Sequence, residues 1–170
     1  MLVMTVDLIR TLYDYNYWAR DLVWDAATNL SDEQFTRNTE YSWGSLLNQF
    51  VFTMSVEWMW FSRLRGDTPN GLLQPEDYPS REAIRTKWRE IEAGVRGYIN
   101  GLDDKDLREN FEYVTFSGNK HQQSIGEILL HVVNSGTDNR AQLIAMMHML
   151  GAPSVEQGLI YYLRERQETG

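Results

Sequence analysis

Four long segments of the chain carry apolar residues at helical spacing, and this periodicity constrains the fold more than any other feature. An apolar residue recurs every three or four positions in the ranges 5–28, 43–65, 81–101 and 124–150. Alternation of period two is confined to residues 111–121, where a Ser-Gly-Asn turn favours a short hairpin or an extended strap. The sequence therefore predicts an all-α protein, a four-helix bundle with crossover loops and a strap before the last long helix.

Local signals mark the helix ends. Ser31 and Gln34 are spaced as a capping box for a short helix, and Ser124 and Glu127 are spaced as one that opens the fourth long helix. Three of the four prolines lie in residues 66–80, which predicts a long loop between the second and third long helices.

The last twenty residues predict one further helix. Gly151 and Pro153 end the fourth long helix, and the segment from Ser154 to Gln157 is predicted to cap a short helix that carries Leu159, Ile160 and Leu163. The chain has no internal repeat and no low-complexity segment. With 170 residues, 42% of them hydrophobic, residues 1–170 are expected to form a single domain.

Charge and composition exclude several classes of function. The formal net charge is -8 and no basic stripe appears, so binding to nucleic acid is not expected. The absence of cysteine excludes disulfides, thiolate nucleophiles and cysteine-based metal sites, which fits a cytoplasmic protein. Asp7 and Arg10 would interrupt a signal peptide, and the longest uncharged run, residues 41–56, is too short to span a bilayer. We expect no membrane span and no targeting segment.

The second long helix is apolar on two sides. Leu47, Val51 and Phe61 belong to one face, and Phe52 and Val56 lie on nearly the opposite face. Such a helix must be covered on both sides, either deep within the bundle or by a second subunit. The sequence favours a homodimer interface on this helix.

The fourth long helix carries a polar gap in its apolar stripe. Ser135 and Asn139 occupy core-facing positions four residues apart, between Val132 and Leu143, and His131 lies one turn earlier. One explanation is structural: small residues allow close helix packing, and Asn139 satisfies a buried polar group. The other is that these positions belong to a functional site.

Several stretches, taken in order, resemble the DinB-like family of four-helix-bundle proteins over nearly the whole chain. DYNYWAR at 14–20 is similar to the family's Asn-x-Trp-Ala in helix one. Residues 45–66 resemble its second helix, in which a histidine precedes Glu by five positions and a terminal Arg-Leu-x-Gly follows. HVVNSGTDNRAQ at 131–142 is similar to its His-Val-x-Asn-His-x-x-x-His-Arg-x-Gln, and the ending GAPSVEQGLIYYLRE also resembles the family.

The resemblance implies a divalent metal held in the bundle core by three histidines, one on helix two and two on the last helix. It also implies relatives that are thiol-dependent transferases and isomerases or metal-dependent hydrolases. In this sequence the three ligand positions fall on Phe52, Ser135 and Asn139. None can replace an imidazole as a ligand for zinc or nickel, so the polar gap is interpreted as the remnant of a metal site. No metal and no cofactor are predicted.

Other candidate residues leave alternatives open. His131 is interpreted as a structural hydrogen-bond partner, and a rearranged metal site could use Glu57, Asp138 and His131. His121 and His148 have no partners at ligand spacing. No glycine-rich phosphate loop and no Gly-x-Ser-x-Gly elbow is present.

These observations give a leading hypothesis and two alternatives. In the leading hypothesis a DinB-like homodimer has lost the family metal and binds a small molecule in a pocket lined by Phe52, Ser135 and Asn139, with Glu57, His131 and Asp138 as the nearest polar contacts. The first alternative is a hydrolase or transferase that uses relocated metal ligands or acts without metal. The second is an interaction protein whose dimer surface is the functional part.

Overall fold

The computed structural model describes residues 4–169, and these are mainly α-helical. The six helices of the described residues are α1 (Val6–Ala27), α2 (Asp32–Thr36), α3 (Leu46–Leu64), α4 (Arg81–Asn100), α5 (Ile125–Met149) and α6 (Leu159–Thr169). The long helices α1 and α3 each pack against both α4 and α5, which is the arrangement of a four-helix bundle. The prediction of an all-α fold is confirmed.

Each long helix begins after a residue whose hydroxyl caps it. The side chains of Thr5, Ser45, Ser80 and Ser124 each accept a hydrogen bond from the backbone N–H three residues later. These bonds satisfy N–H groups that have no partner within a helix. Both predicted capping boxes, at Ser31 and at Ser124, are present.

Two predicted helix starts were too early. Helix α3 begins at Leu46 rather than at Trp43, because Gly44 has a φ of 84°, which a right-handed helix does not allow. Glu40 and Ser42, with φ angles of 57° and 49°, belong to the same irregular turn. The terminal helix begins at Leu159, so Ser154 does not cap it. The segment before α6 instead makes a tertiary contact, because Gln157 Oε1 accepts a hydrogen bond from Arg140 at 2.7 Å.

The predicted strap is a hairpin. Strands β1 (Asn110–Val114) and β2 (Lys120–Ser124) pair antiparallel, with Tyr113 opposite His121. Gly118 has a φ of 84° in the turn, a conformation that glycine adopts without strain. The hairpin leads directly into the capping box of α5.

Much of the second apolar side of α3 is covered by the chain itself. A short 3₁₀ helix, Pro75–Asp77, in the 66–80 loop lies against α3, and the Leu73 N–H donates to Ser55 Oγ at 2.6 Å. On the next turn Trp60 packs edge-on against Tyr113 of β1, with ring centroids 4.9 Å apart. This covering removes much of the reason for expecting a second subunit on α3, and the homodimer stays a prediction.

The centre of the bundle is aromatic where α1 meets α3. Trp24 and Phe50 stack with ring centroids 3.9 Å apart, and Phe35 of α2 lies 5.7 Å from Phe50. These stacked rings therefore fix the position of α3 relative to α1 and α2. Within residues 4–169, no helix is both long and apolar enough to cross a membrane.

Candidate functional site

A polar cleft lies inside the bundle where side chains of all four long helices converge. Its cavity volume is about 10 Å³, roughly the space of one water molecule. Seven of its eleven lining residues have polar or charged side chains, which is unusual at the centre of a helical bundle and marks it as the candidate site. The polar residues that line it are Asn16 and Arg20 of α1, Thr53 and Glu57 of α3, and Ser135, Asn139 and Arg140 of α5.

Three of the six residues predicted for the site line this cleft, namely Glu57, Ser135 and Asn139. The other three lie elsewhere. Phe52 is half-buried and stacks on the Trp43 ring, with centroids 4.2 Å apart. His131 is exposed, with its ring edge-on to Trp60 at 5.4 Å, and Asp138 is exposed on α5. These three residues are therefore outside the lining of the cleft.

Asn139 is held in a hydrogen-bond network that joins α5 to α3. Its side-chain amide donates to Ser135 O at 2.8 Å and to Ser135 Oγ at 3.2 Å, and its Oδ1 accepts from Gln49 Nε2 at 3.2 Å. Gln49 Oε1 in turn accepts a hydrogen bond from the Ser42 hydroxyl at 2.7 Å. The polar residues that interrupt the apolar stripe of α5 therefore satisfy their hydrogen-bonding groups within the protein.

Close packing of α5 against α1 brings Arg140 into the cleft. A Cβ at Gly136 would lie 2.5 Å from Asn16 Oδ1, so only glycine allows this approach. Arg140 Nη1 donates to that same Oδ1, while its Nη2 donates to Thr137 Oγ1 at 3.1 Å. Arg140 is 2% exposed, and no carboxylate of residues 4–169 pairs with it. Burial lowers the pKa of its guanidinium.

Glu57 is the buried carboxyl of the cleft and is 4% exposed. Burial raises its pKa to about 7, although the hydrogen bond from Tyr17 and the positive charge of Arg20 act in the opposite direction. The Tyr17 hydroxyl donates to Glu57 Oε1 at 2.9 Å. The indole N–H of Trp88 is close enough to lower this pKa further but makes no hydrogen bond of normal geometry.

Arg20 closes the cleft on the side of α4. Its Nη2 donates to Glu92 Oε2 at 2.7 Å and its Nε to Asp21 Oδ1 at 2.9 Å. The guanidinium lies over the Tyr17 ring, 4.8 Å from its centroid. The cleft therefore combines two buried guanidiniums, neutral amides and one carboxyl that titrates near neutral pH.

A sequence model of the DinB family matches residues 1–169. The chain belongs to the DinB family. Among curated proteins it is similar to "Protein DinB" of Bacillus subtilis (strain 168), with 22% identity over 180 residues that cover 95% of this chain and 98% of the relative. The DinB resemblance found in the sequence motifs is thus confirmed over nearly the whole chain.

The donor set of the cleft does not fit the three-imidazole metal site that the DinB resemblance implies. At the corresponding positions Phe52 has no donor atom, and the polar atoms of Ser135 and Asn139 are bonded to each other and to Gln49. In the part of the chain that the structure describes, no three His, Asp or Glu side chains lie close enough together to hold one metal ion.

The sequence did not predict several residues that line the cleft, namely Asn16, Arg20, Thr53, Trp88 and Arg140, nor their hydrogen-bonding neighbours Tyr17 and Gln49. One signal was available: Asn16 and Arg20 are four residues apart and interrupt the apolar stripe of α1, as Ser135 and Asn139 do on α5. Two polar gaps on different helices of one bundle are expected to face each other. The burial of Glu57 had no comparable signal in the sequence.

Proposed function

We propose that this DinB-family protein has lost the metal site of its family and binds a small molecule at the cleft without a divalent metal. The observation that carries the proposal is the set of side chains at the family's three ligand positions. Phe52 has no donor atom, and the polar atoms of Ser135 and Asn139 already hydrogen-bond to each other and to Gln49. A divalent cation would therefore find no imidazole where the family has three.

The lining of the cleft supports recognition of a small polar molecule. Buried side chains with fixed hydrogen-bond geometry are what orients a ligand in a mostly apolar protein interior. The cavity itself holds only about one water molecule, but Arg20 and Trp88 also line a larger groove on the outside of the bundle. A ligand would therefore enter along α1 and α4 and contact the cleft at its inner end.

The first test is a thermal-shift screen with uncharged, cationic and anionic small molecules. A ligand present at roughly 100 times its Kd is expected to raise Tm by about 5 °C or more. Val56→Phe, which adds bulk to the cleft, should abolish this shift. The matched control is Val114→Phe on the exposed hairpin, which should keep it. A screen in which no compound raises Tm would contradict small-molecule binding and favour the interaction protein.

An enzyme is the second candidate function, and one observation favours it. A carboxyl with a pKa of about 7 can accept or donate a proton at neutral pH, which suits general acid–base catalysis. Glu57 would serve this role in a hydrolase or transferase that acts without metal. The metal-dependent form of this hypothesis, with Glu57, His131 and Asp138 as relocated ligands, has less support, because Glu57 is buried whereas the other two are exposed.

A further inference from the structure

A groove runs along the outside of the bundle between α1 and α4, next to the cleft. Its volume is about 270 Å³, slightly below the usual size of a small-molecule site. Arg20 and Trp88 line both the groove and the cleft, so these two side chains form the boundary between them. The remaining lining residues are Asp21 and Trp24 of α1 and Arg85, Arg89 and Glu92 of α4.

One buried hydrogen-bond donor at this boundary lacks a protein acceptor. Arg20 is 8% exposed, yet its Nη1 has no hydrogen-bond partner within residues 4–169. The Trp88 indole N–H also has no partner of normal geometry, but it lies close enough to Glu57 to lower the pKa of that carboxyl. Because an unpaired buried donor is costly, Arg20 Nη1 calls for an acceptor that comes from outside the chain.

The charges around the groove favour a negatively charged acceptor. Glu92 is shared by Arg20 and Arg96, at 2.7 and 2.8 Å, so its charge is already matched. Arg85 lies over the Trp24 ring at 5.6 Å, and no described residue forms an ion pair with Arg85 or with the exposed Arg89. Three guanidiniums thus face two carboxylates in a chain whose overall charge is -8.

We propose that the groove binds a small molecule through a carboxylate or phosphate group, whose oxygens accept a hydrogen bond from Arg20 Nη1 while the molecule lies against the Trp88 side chain. Arg85 and Arg89 at the rim attract the anion, and a guanidinium pairs with either oxyanion through charge-assisted hydrogen bonds. The volume of the groove suits a small metabolite. This inference rests on the proposed function, because it names the chemical class of the ligand that contacts the cleft.

The test follows the indole N–H signals of the six tryptophans by NMR during titration with inorganic phosphate or with benzoate. Sodium chloride at matched ionic strength controls for screening. The Trp88 signal, assigned with Trp88→Phe, is expected to move saturably. Arg89→Gln at the rim should weaken binding about tenfold, because it removes one positive charge and a guanidinium donor. Arg108→Gln, an equal change of charge on an exposed residue outside the groove, should leave the affinity unchanged.

The titration decides whether the groove binds an oxyanion and of which class. Saturation by phosphate alone or by benzoate alone assigns the ligand to that class, and saturation by both supports the shared oxyanion site. If the Trp88 signal moves with neither probe, or if Arg108→Gln weakens binding as much as Arg89→Gln, the oxyanion site is wrong. If an uncharged compound from the thermal-shift screen binds while both anions fail, only the ligand class is overturned and the proposed function stands.

Discussion

Replacing Glu57 by Gln is expected to raise the free energy of unfolding by about 3 kcal/mol at pH 8 and by less than about 1 kcal/mol at pH 5. Burial raises the pKa of this carboxyl from 4.5 to about 7 in the folded protein. Between these two values the folded state keeps the proton and the unfolded state loses it, so stability falls as pH rises. Above the folded pKa the loss is complete, and Gln avoids it because it does not ionise.

The measurement is urea unfolding of both proteins at the two pH values. Gln at this position keeps an oxygen that can accept the hydrogen bond from Tyr17, so the two side chains differ mainly in ionisation. Glu112→Gln, on the exposed face of β1, is the control and should show no gain that grows with pH. An equal effect of Glu57→Gln at pH 5 and pH 8 would show that the carboxyl is not buried as described.

Truncation of Phe50 to Ala is expected to lower the free energy of unfolding by about 3–5 kcal/mol. The Phe50 side chain is fully buried and packs against Trp24 of α1 and Phe35 of α2, so its removal leaves a cavity where three helices meet. The same packing fixes α3, one turn before Thr53 and two turns before Glu57. We therefore expect the cleft to loosen together with the core.

Phe116→Ala provides the matched control for Phe50→Ala, because the same side chain is removed from a position that is 50% exposed. Phe116→Ala should lower the free energy of unfolding by less than about 1 kcal/mol, as substitutions at other surface positions do. Chemical denaturation measures the free energy of unfolding of both variants. A loss below about 1.5 kcal/mol for Phe50→Ala would mean that the aromatic stack does not fix α3.

Local sequence signals predicted most of the fold. The 3.6-residue periodicity gave the four long helices, and both capping boxes and the hairpin turn occurred where their residues indicated. The failures came from conformations and contacts that no local pattern encodes. The positive φ of Gly44, which follows Glu40 and Ser42 at positive φ in the same irregular turn, delayed the start of α3. Much of the second apolar side of α3 is covered by the loop that follows it and by the distant hairpin, and neither contact is encoded in the periodicity of α3.

The candidate site was only partly predictable. Ser135 and Asn139, which form the polar gap on α5, both line the cleft, because their spacing alone determines the face of the helix that they share. Phe52 was assigned by family position, and the structure instead stacks it on Trp43. The pairing of Asn16 with Arg140 depends on the close approach of two helices at Gly136, which becomes visible only once the helices are packed.

The metal content of the untagged protein tests the central claim most directly. After exposure to zinc and nickel and removal of free ions, plasma mass spectrometry is expected to find well under about one tenth of an equivalent of either metal. A triple variant, Gln49→His, Ser135→His and Asn139→His, serves as the positive control and should approach one equivalent, because Gln49 is the α3 side chain that contacts Asn139. A stoichiometric metal on the natural protein would contradict the loss of the metal site, whatever the variant binds.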